Sequence, residues 1–168
     1  YSFRVRVRGL SVDLADLPAV AGRVRRAHRE YLEPTEDIQS DSPEILEALQ
    51  QIGADVDTVS LQNRIQRIYD EVSGFRPAPF KGTTDALTTL RLREASCNGR
   101  SRLMVAMMRN IGIPARLVGG IILTNGTKKT SHQWLEAHLG GVWVPFDALN
   151  GHFGSLPANY LRMYTGDE

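Results

Sequence analysis

The chain is nearly devoid of cysteine: among 168 residues only Cys97 carries a thiol, so no internal disulfide can form and cysteine usage does not identify a redox compartment. It has no uninterrupted apolar run near the roughly 20 residues needed to cross a bilayer. It also lacks charge of one sign. Its 20 Lys and Arg against 19 Asp and Glu leave a net charge of +1, too small to call for a nucleic-acid partner. No internal repeat or low-complexity segment is visible. What is present is ordinary: 42% hydrophobic and 23% charged residues, which excludes wholesale disorder, collagen, coiled coil and a disulfide scaffold. A chain of this length buries roughly 70% of its unfolded surface and builds a core unaided. Tyr1 opens the chain with no Met and no signal-like segment, so we expect a fragment of a longer protein whose targeting signals lie outside it.

Along residues 1–12, Phe3, Val5 and Val7 alternate with Arg4, Arg6 and Arg8, which predicts a half-buried strand with three arginines on one face, either solvated or an anionic docking surface. Residues 15–33 read as a basic helix with Val20, Val24, Ala27 and Tyr31 inward and Arg23, Arg25, Arg26 and Arg29 in water. A polar loop over 34–42 leads to Ser42-Pro43, an N-cap and first helical residue, with a helix to about Ile52 and Gly53 ending it. A second helix fits 57–73, with Leu61, Ile65, Ile68, Tyr69 and Val72 apolar. Thr83–Arg91 is a short helix and Arg100–Asn110 an apolar one, closed by Gly112 and Pro114. Ala115–Leu123 has strand composition, and Thr124–Ser131 is a polar loop.

His132–Leu139 and Val142–Phe146 are strands joined through Gly140-Gly141, a two-residue hairpin signal. That turn pairs Leu139 with Val142 and so sets Asp147 opposite Trp134. Side chains alternate with period two. One face then carries His132, Trp134, Glu136, His138, Trp143, Pro145 and Asp147, and the other is almost wholly apolar and belongs to the core. His132 and Asp147 are diagonal neighbours, within reach of one another across the pair. A carboxylate there fixes the imidazole tautomer and leaves the other ring nitrogen to handle a proton.

Cys97 follows Ser96, a plausible helix cap, and precedes the apolar helix. A thiol at a helix N-terminus feels the positive end of the dipole, which favours the thiolate. Gly99 removes a side chain beside it, and the open first-turn N–H groups are oxyanion donors. The competing reading is an inert core cysteine. Arg116 reads as a structural pairing residue. A His132–Glu136–His138 metal site is conceivable at strand spacing, but no metal-type motif supports it, and no cofactor is expected.

Ser96-Cys97-Asn98-Gly99-Arg100-Ser101, the run Arg109–Gly120 with its Gly-Ile-Pro-Ala-Arg segment, His132-Gln133-Trp134-Leu135-Glu136 and Gly141-Val142-Trp143-Val144-Pro145-Phe146-Asp147 together resemble the transglutaminase-like superfamily over about residues 57–150. The resemblance implies an α+β, papain-like fold in which a helix bearing the cysteine packs on an antiparallel sheet. It implies Cys97 as nucleophile, His132 as base and Asp147 as its orienter, passing an acyl group through a thioester to an amine or to water. Peptidase or amidase activity is expected over protein crosslinking, with a peptide or protein as substrate. Trp134 either roofs the site and touches substrate or is a plain packing residue, and Asn98 and Gln133 are the candidates for a side-chain oxyanion donor that touches substrate. The tail from Asn150-Gly151-His152-Phe153 to Tyr160-Leu161 and Asp167-Glu168 resembles bacterial domains of this type carried outside the cytoplasm by multi-pass membrane proteins. That group includes inactive members, so a catalytically silent peptide-binding domain is the alternative. Residues 57–168 are expected to form the core, and 1–56 an extension that is a lid or the end of a preceding domain.

Overall fold

The computed structural model describes residues 6–16, 24–78, 84–125 and 130–167. Its elements are β1 (Leu10–Ser11), α1 (Pro43–Gln51), α2 (Leu61–Ser73), β2 (Arg76–Pro77), α3 (Ala86–Leu92), β3 (Glu94–Ala95), α4 (Cys97–Asn110), β4 (Ala115–Ile122), β5 (Thr130–Leu139), β6 (Val142–Asp147), β7 (His152–Phe153), β8 (Ser155–Leu156) and β9 (Tyr160–Thr165). Five strands form an antiparallel sheet in the order β7-β6-β5-β4-β9, with the helices packed on it, an α+β architecture.

The hairpin sets the register. Gly140 and Gly141 both take positive φ, 58° and 93°, as a two-residue turn requires, and Leu139 pairs with Val142, Ala137 with Val144 and Leu135 with Phe146. All six of these side chains except exposed Val142 join the main core, together with Leu103, Met104, Met107 and Met108 of α4. Helix α4 is buried from Gly99 to Arg109 because the sheet lies on one side and α1, α2 and α3 on the other. Its buried arginines are neutralised or satisfied locally. Arg109 donates to the Ala115 carbonyl at 2.8 Å and pairs with Asp167 at 2.7 Å, and Arg102 pairs with Asp37 at 2.7 Å.

Capping explains the helix starts. Ser42 Oγ accepts from the Glu44 amide, and the helix expected from 57 begins at Leu61 because Ser60 Oγ accepts from Asn63. Asp85 caps α3, accepting from the Thr88 amide at 2.9 Å. Two expectations for the N-terminal part change. The strand over 1–12 lies partly outside the described residues, and within them only Leu10 and Ser11 find a ladder, antiparallel to β8. The helix over 15–33 also lies partly outside them. Its described parts are 3-10 turns, Leu14–Asp16 and Arg26–Leu32, with Ala27 exposed rather than inward. At three residues per turn His28 and Tyr31 fall in line. Both rings reach Trp143, with centroids at 5.6 and 5.1 Å, so this turn straps the far face of the sheet. Arg25, Arg26 and Arg29 are exposed, as expected of a wetted side, and Arg23 lies outside the described residues.

Candidate active site

Cys97 is the first residue of α4 and is partly exposed. Ser96 stands at the N-cap position, yet its hydroxyl makes no capping bond and is buried without a partner, contrary to expectation. The first-turn N–H groups are therefore uncapped by it. Gly99 also differs from expectation. A Cβ there would overlap the Thr84 and Thr89 hydroxyls, so the glycine clears space for α3 rather than for the thiol.

The end of the β5–β6 ladder brings the thiol and imidazole together. Pairing stops at Leu135 with Phe146, while β4 continues beside β5, Gly119 opposite Gln133 and Gly120 opposite His132. Gln133 thus has a free side where β6 is missing, and α4 fills it. The Gln133 carbonyl accepts from Ser101 Oγ at 3.2 Å, and its N–H bonds to the Cys97 sulfur. His132 meets the same sulfur through its side chain.

His132 Nε2 lies 2.5 Å from Asp147 Oδ2, which leaves Nδ1 for the thiol. Both side chains are nearly sealed, at 7% and 2% exposure. Burial alone would drive the imidazole toward neutrality. The Asp147 and Cys97 contacts outweigh it and hold His132 at about 9. Burial likewise raises Asp147, but the bond to His132, its charge, and donors from Tyr160 and Asn150 bring it down to about 2. For Cys97, burial pushes the thiol up. The His132 side chain, the Gln133 N–H and the imidazolium charge prevail, so the thiol lies below its ordinary value. An ionised carboxylate, a protonated imidazole and an acidified thiol in sequence can generate a nucleophile and deliver a proton.

The remaining candidates separate. The Cys97 thiol donates to Asn98 Oδ1 at 3.4 Å, and Asn98 is partly exposed. Gln133 is 8% exposed and its Oε1 is buried without a partner. Trp134 does not roof the site. Its side chain is 2% exposed and stacks beneath the imidazole, with centroids 6.3 Å apart, in a second apolar cluster with Val118 and Tyr160. Arg116 is a pairing residue, bound to Glu136 at 2.8 Å and seated 3.9 Å over Trp143. Glu136 is thereby committed, and the His138 ring packs against His28 in a tilted pair with centroids 4.1 Å apart. Among the described residues no group of three or more His, Cys, Asp or Glu is placed to hold a metal.

Two residues at this site carried no role in the sequence reading. Tyr160 donates to Asp147 Oδ2 at 2.8 Å and Asn150 Nδ2 donates to it at 3.0 Å. Asn150 follows the aspartate closely and was open to an Asx-turn reading. Tyr160 arrives on β9, whose register on β4 is shifted by an irregularity at Gly119/Gly120, a feature no spacing rule exposes.

The fold and its connections recur in solved structures. A protein of Cytophaga hutchinsonii described as a "putative cysteine protease" superposes with a TM-score of 0.69 at 21% identity, over 93% of this chain and 50% of that one. The periplasmic domain of TgpA from Pseudomonas aeruginosa, bound to ethylmercury, superposes with a TM-score of 0.54 at 18% identity, over 73% of this chain and 48% of that one. A "putative protease" of Parabacteroides distasonis follows at 0.50 and 14%, covering 82% and 29%. The chain thus spans half or less of the length of each. No curated protein matches it. Residues 47–148, more than half of the chain, match the model of the transglutaminase-like superfamily, and with a helix-borne thiol facing an antiparallel sheet the chain belongs to that superfamily.

Proposed function

We propose that this domain is a thiol-dependent acyl-transfer enzyme acting on peptide amide bonds, with Cys97 as nucleophile, His132 as acid and base, and Asp147 as its orienter. The observation that carries the reading is the His132 imidazole bound at 2.5 Å to a buried Asp147 on one side and to the Cys97 thiol on the other. The thiolate adds to the amide carbonyl carbon. The carbonyl electron pair moves to oxygen, where open N–H groups of the first α4 turn are the available donors. Collapse breaks the C–N bond as His132 gives its proton to the departing amine, leaving a thioester. Neutral His132 then takes a proton from water, hydroxide adds to the thioester, and the thiolate leaves.

Water is favoured over an amine as acceptor, which makes the domain a peptidase or amidase rather than a crosslinker. The descriptions of the Cytophaga and Parabacteroides proteins as proteases support this. The periplasmic TgpA domain supports an extracytoplasmic setting. Attachment to a membrane-embedded part of a full-length protein is a further part of this proposal that rests on the resemblance of the tail alone. No helix among the described residues is itself long and apolar enough to cross a membrane.

The test is alkylation of Cys97 by iodoacetamide across pH. The expected profile is half-maximal well below the roughly 8.5 of a free thiol, and His132→Ala moves it up and slows the reaction at pH 7. A wild-type profile like that of a model thiol, indifferent to His132, overturns the reading and leaves a silent peptide-binding domain.

A further inference from the structure

Asp147 is more fully enclosed than a carboxylate that only orients an imidazole needs to be. Its Oδ1 accepts the backbone N–H groups of Leu149 and Asn150 at 3.0 and 3.1 Å. Its Oδ2 accepts from His132 Nε2 at 2.5 Å, Tyr160 Oη at 2.8 Å and Asn150 Nδ2 at 3.0 Å. Asn150 Nδ2 also lies 3.0 Å from Tyr160 Oη and 3.1 Å from His132 Nε2, so the three side chains close a ring around one oxygen. The Tyr160 ring stands edge-on to His132, Trp134 and His152, with centroids at 5.9, 5.4 and 5.3 Å.

We infer that Tyr160, assisted by Asn150, is a positioning residue of the proposed acid–base machinery: its hydroxyl fixes the Asp147 carboxylate and shares its negative charge with the imidazole. The inference rests on the thiol-enzyme reading for its catalytic meaning. Burial and the neighbouring carboxylate keep the phenol well above its ordinary value, so it remains a neutral donor throughout the working range. A neutral donor on Oδ2 competes with the imidazolium for the same lone pairs. It therefore limits how strongly Asp147 holds the His132 proton, a proton that must be released to the leaving amine. The packing role belongs to the ring and the electrostatic role to the hydroxyl, so the two are separable by one oxygen atom.

The experiment follows the His132 imidazole by NMR titration, its signal assigned by loss in His132→Gln. In Tyr160→Phe the ring contacts persist while Asp147 loses a donor, and the His132 midpoint is expected to rise by about one pH unit, the scale of one charge-assisted hydrogen bond. Asn150→Ala, at an exposed position, is expected to shift it the same way and keeps the test available if Tyr160→Phe folds poorly. A merely structural role leaves the midpoint in place. Unchanged midpoints in both variants overturn the inference while wild-type alkylation still supports the thiol enzyme. A free-thiol alkylation profile overturns that reading and leaves the titration to decide on Tyr160.

Discussion

At neutral pH the imidazole of His132, held at about 9, keeps its proton, and Asp147, held at about 2, has none. The lowering of the Cys97 thiol depends on that order of charges. Replacing the carboxylate by an amide tests it. Asp147→Asn removes the anion and offers Nδ2–H or Oδ1 to a ring nitrogen that needs an acceptor. The expected outcome is a fall in Cys97 alkylation at pH 6–7 of about 10- to 100-fold, with the profile moving toward a free thiol. The residues most exposed to reading from sequence were these three, since the Gly140-Gly141 turn fixes the faces of His132 and Asp147 by parity alone. Trp134 shared the correct face, but parity says nothing of depth: its ring is buried in a cluster with Val118 and Tyr160.

The elements meet where side chains are absent. Gly99 lets α4 approach α3, and Thr84 and Thr89, themselves 3.3 Å apart, occupy the space its Cβ would need. Gly99→Ala adds a methyl in that gap. Alanine favours a helix over glycine by about 1 kcal/mol, while overpacking costs about 1–3 kcal/mol, so net destabilisation is expected as a lower urea midpoint. An unchanged or higher midpoint would show that α3 yields freely. Gly120 plays the matching part in the sheet, where an added Cβ would overlap the Leu161 carbonyl of β9 and crowd Trp134. Helix α1 was legible because its period, the Ser42 cap and the Gly53 stop agree, α2 by its apolar period, and α4 by its apolar run and the Gly112 stop, although Ser96 makes no capping bond. The 26–32 strap was not, because its 3-10 geometry answers to His138 and Trp143, residues more than a hundred positions away.

For the whole molecule, the buried pair ties folding to pH. His132 lies above its ordinary 6.5, so its contribution is complete below pH 6.5 and is lost as pH rises through about 9. Asp147 lies below its ordinary 3.8, so its contribution is complete above that value and is lost as pH falls through about 2. These are two views of one interaction and do not add. His138, lowered by burial and by His28, acts against stability below 6.5, but it is partly exposed and its effect is smaller. Cys97, held below its ordinary value, contributes stability that grows over the same window and offsets part of the His132 loss. The expected result is a net loss of about 1–2 kcal/mol between pH 6.5 and 9 in urea unfolding, absent in His132→Ala. A wild-type curve flat across that window would contradict the assignment of charges.

By itself, the sequence determined the elements whose information is local or periodic: the capped helices, the glycine hairpin, the shared face of His132 and Asp147, and Cys97 at the start of α4. The tertiary structure alone decided what depends on edges and endings. The β5–β6 ladder stops short of Gln133, so α4 can present its thiol to the imidazole, and the shifted β9 register carries Tyr160 onto Asp147. Such contacts join residues far apart in the chain, and no repeat of 2 or 3.6 residues encodes where a ladder ends.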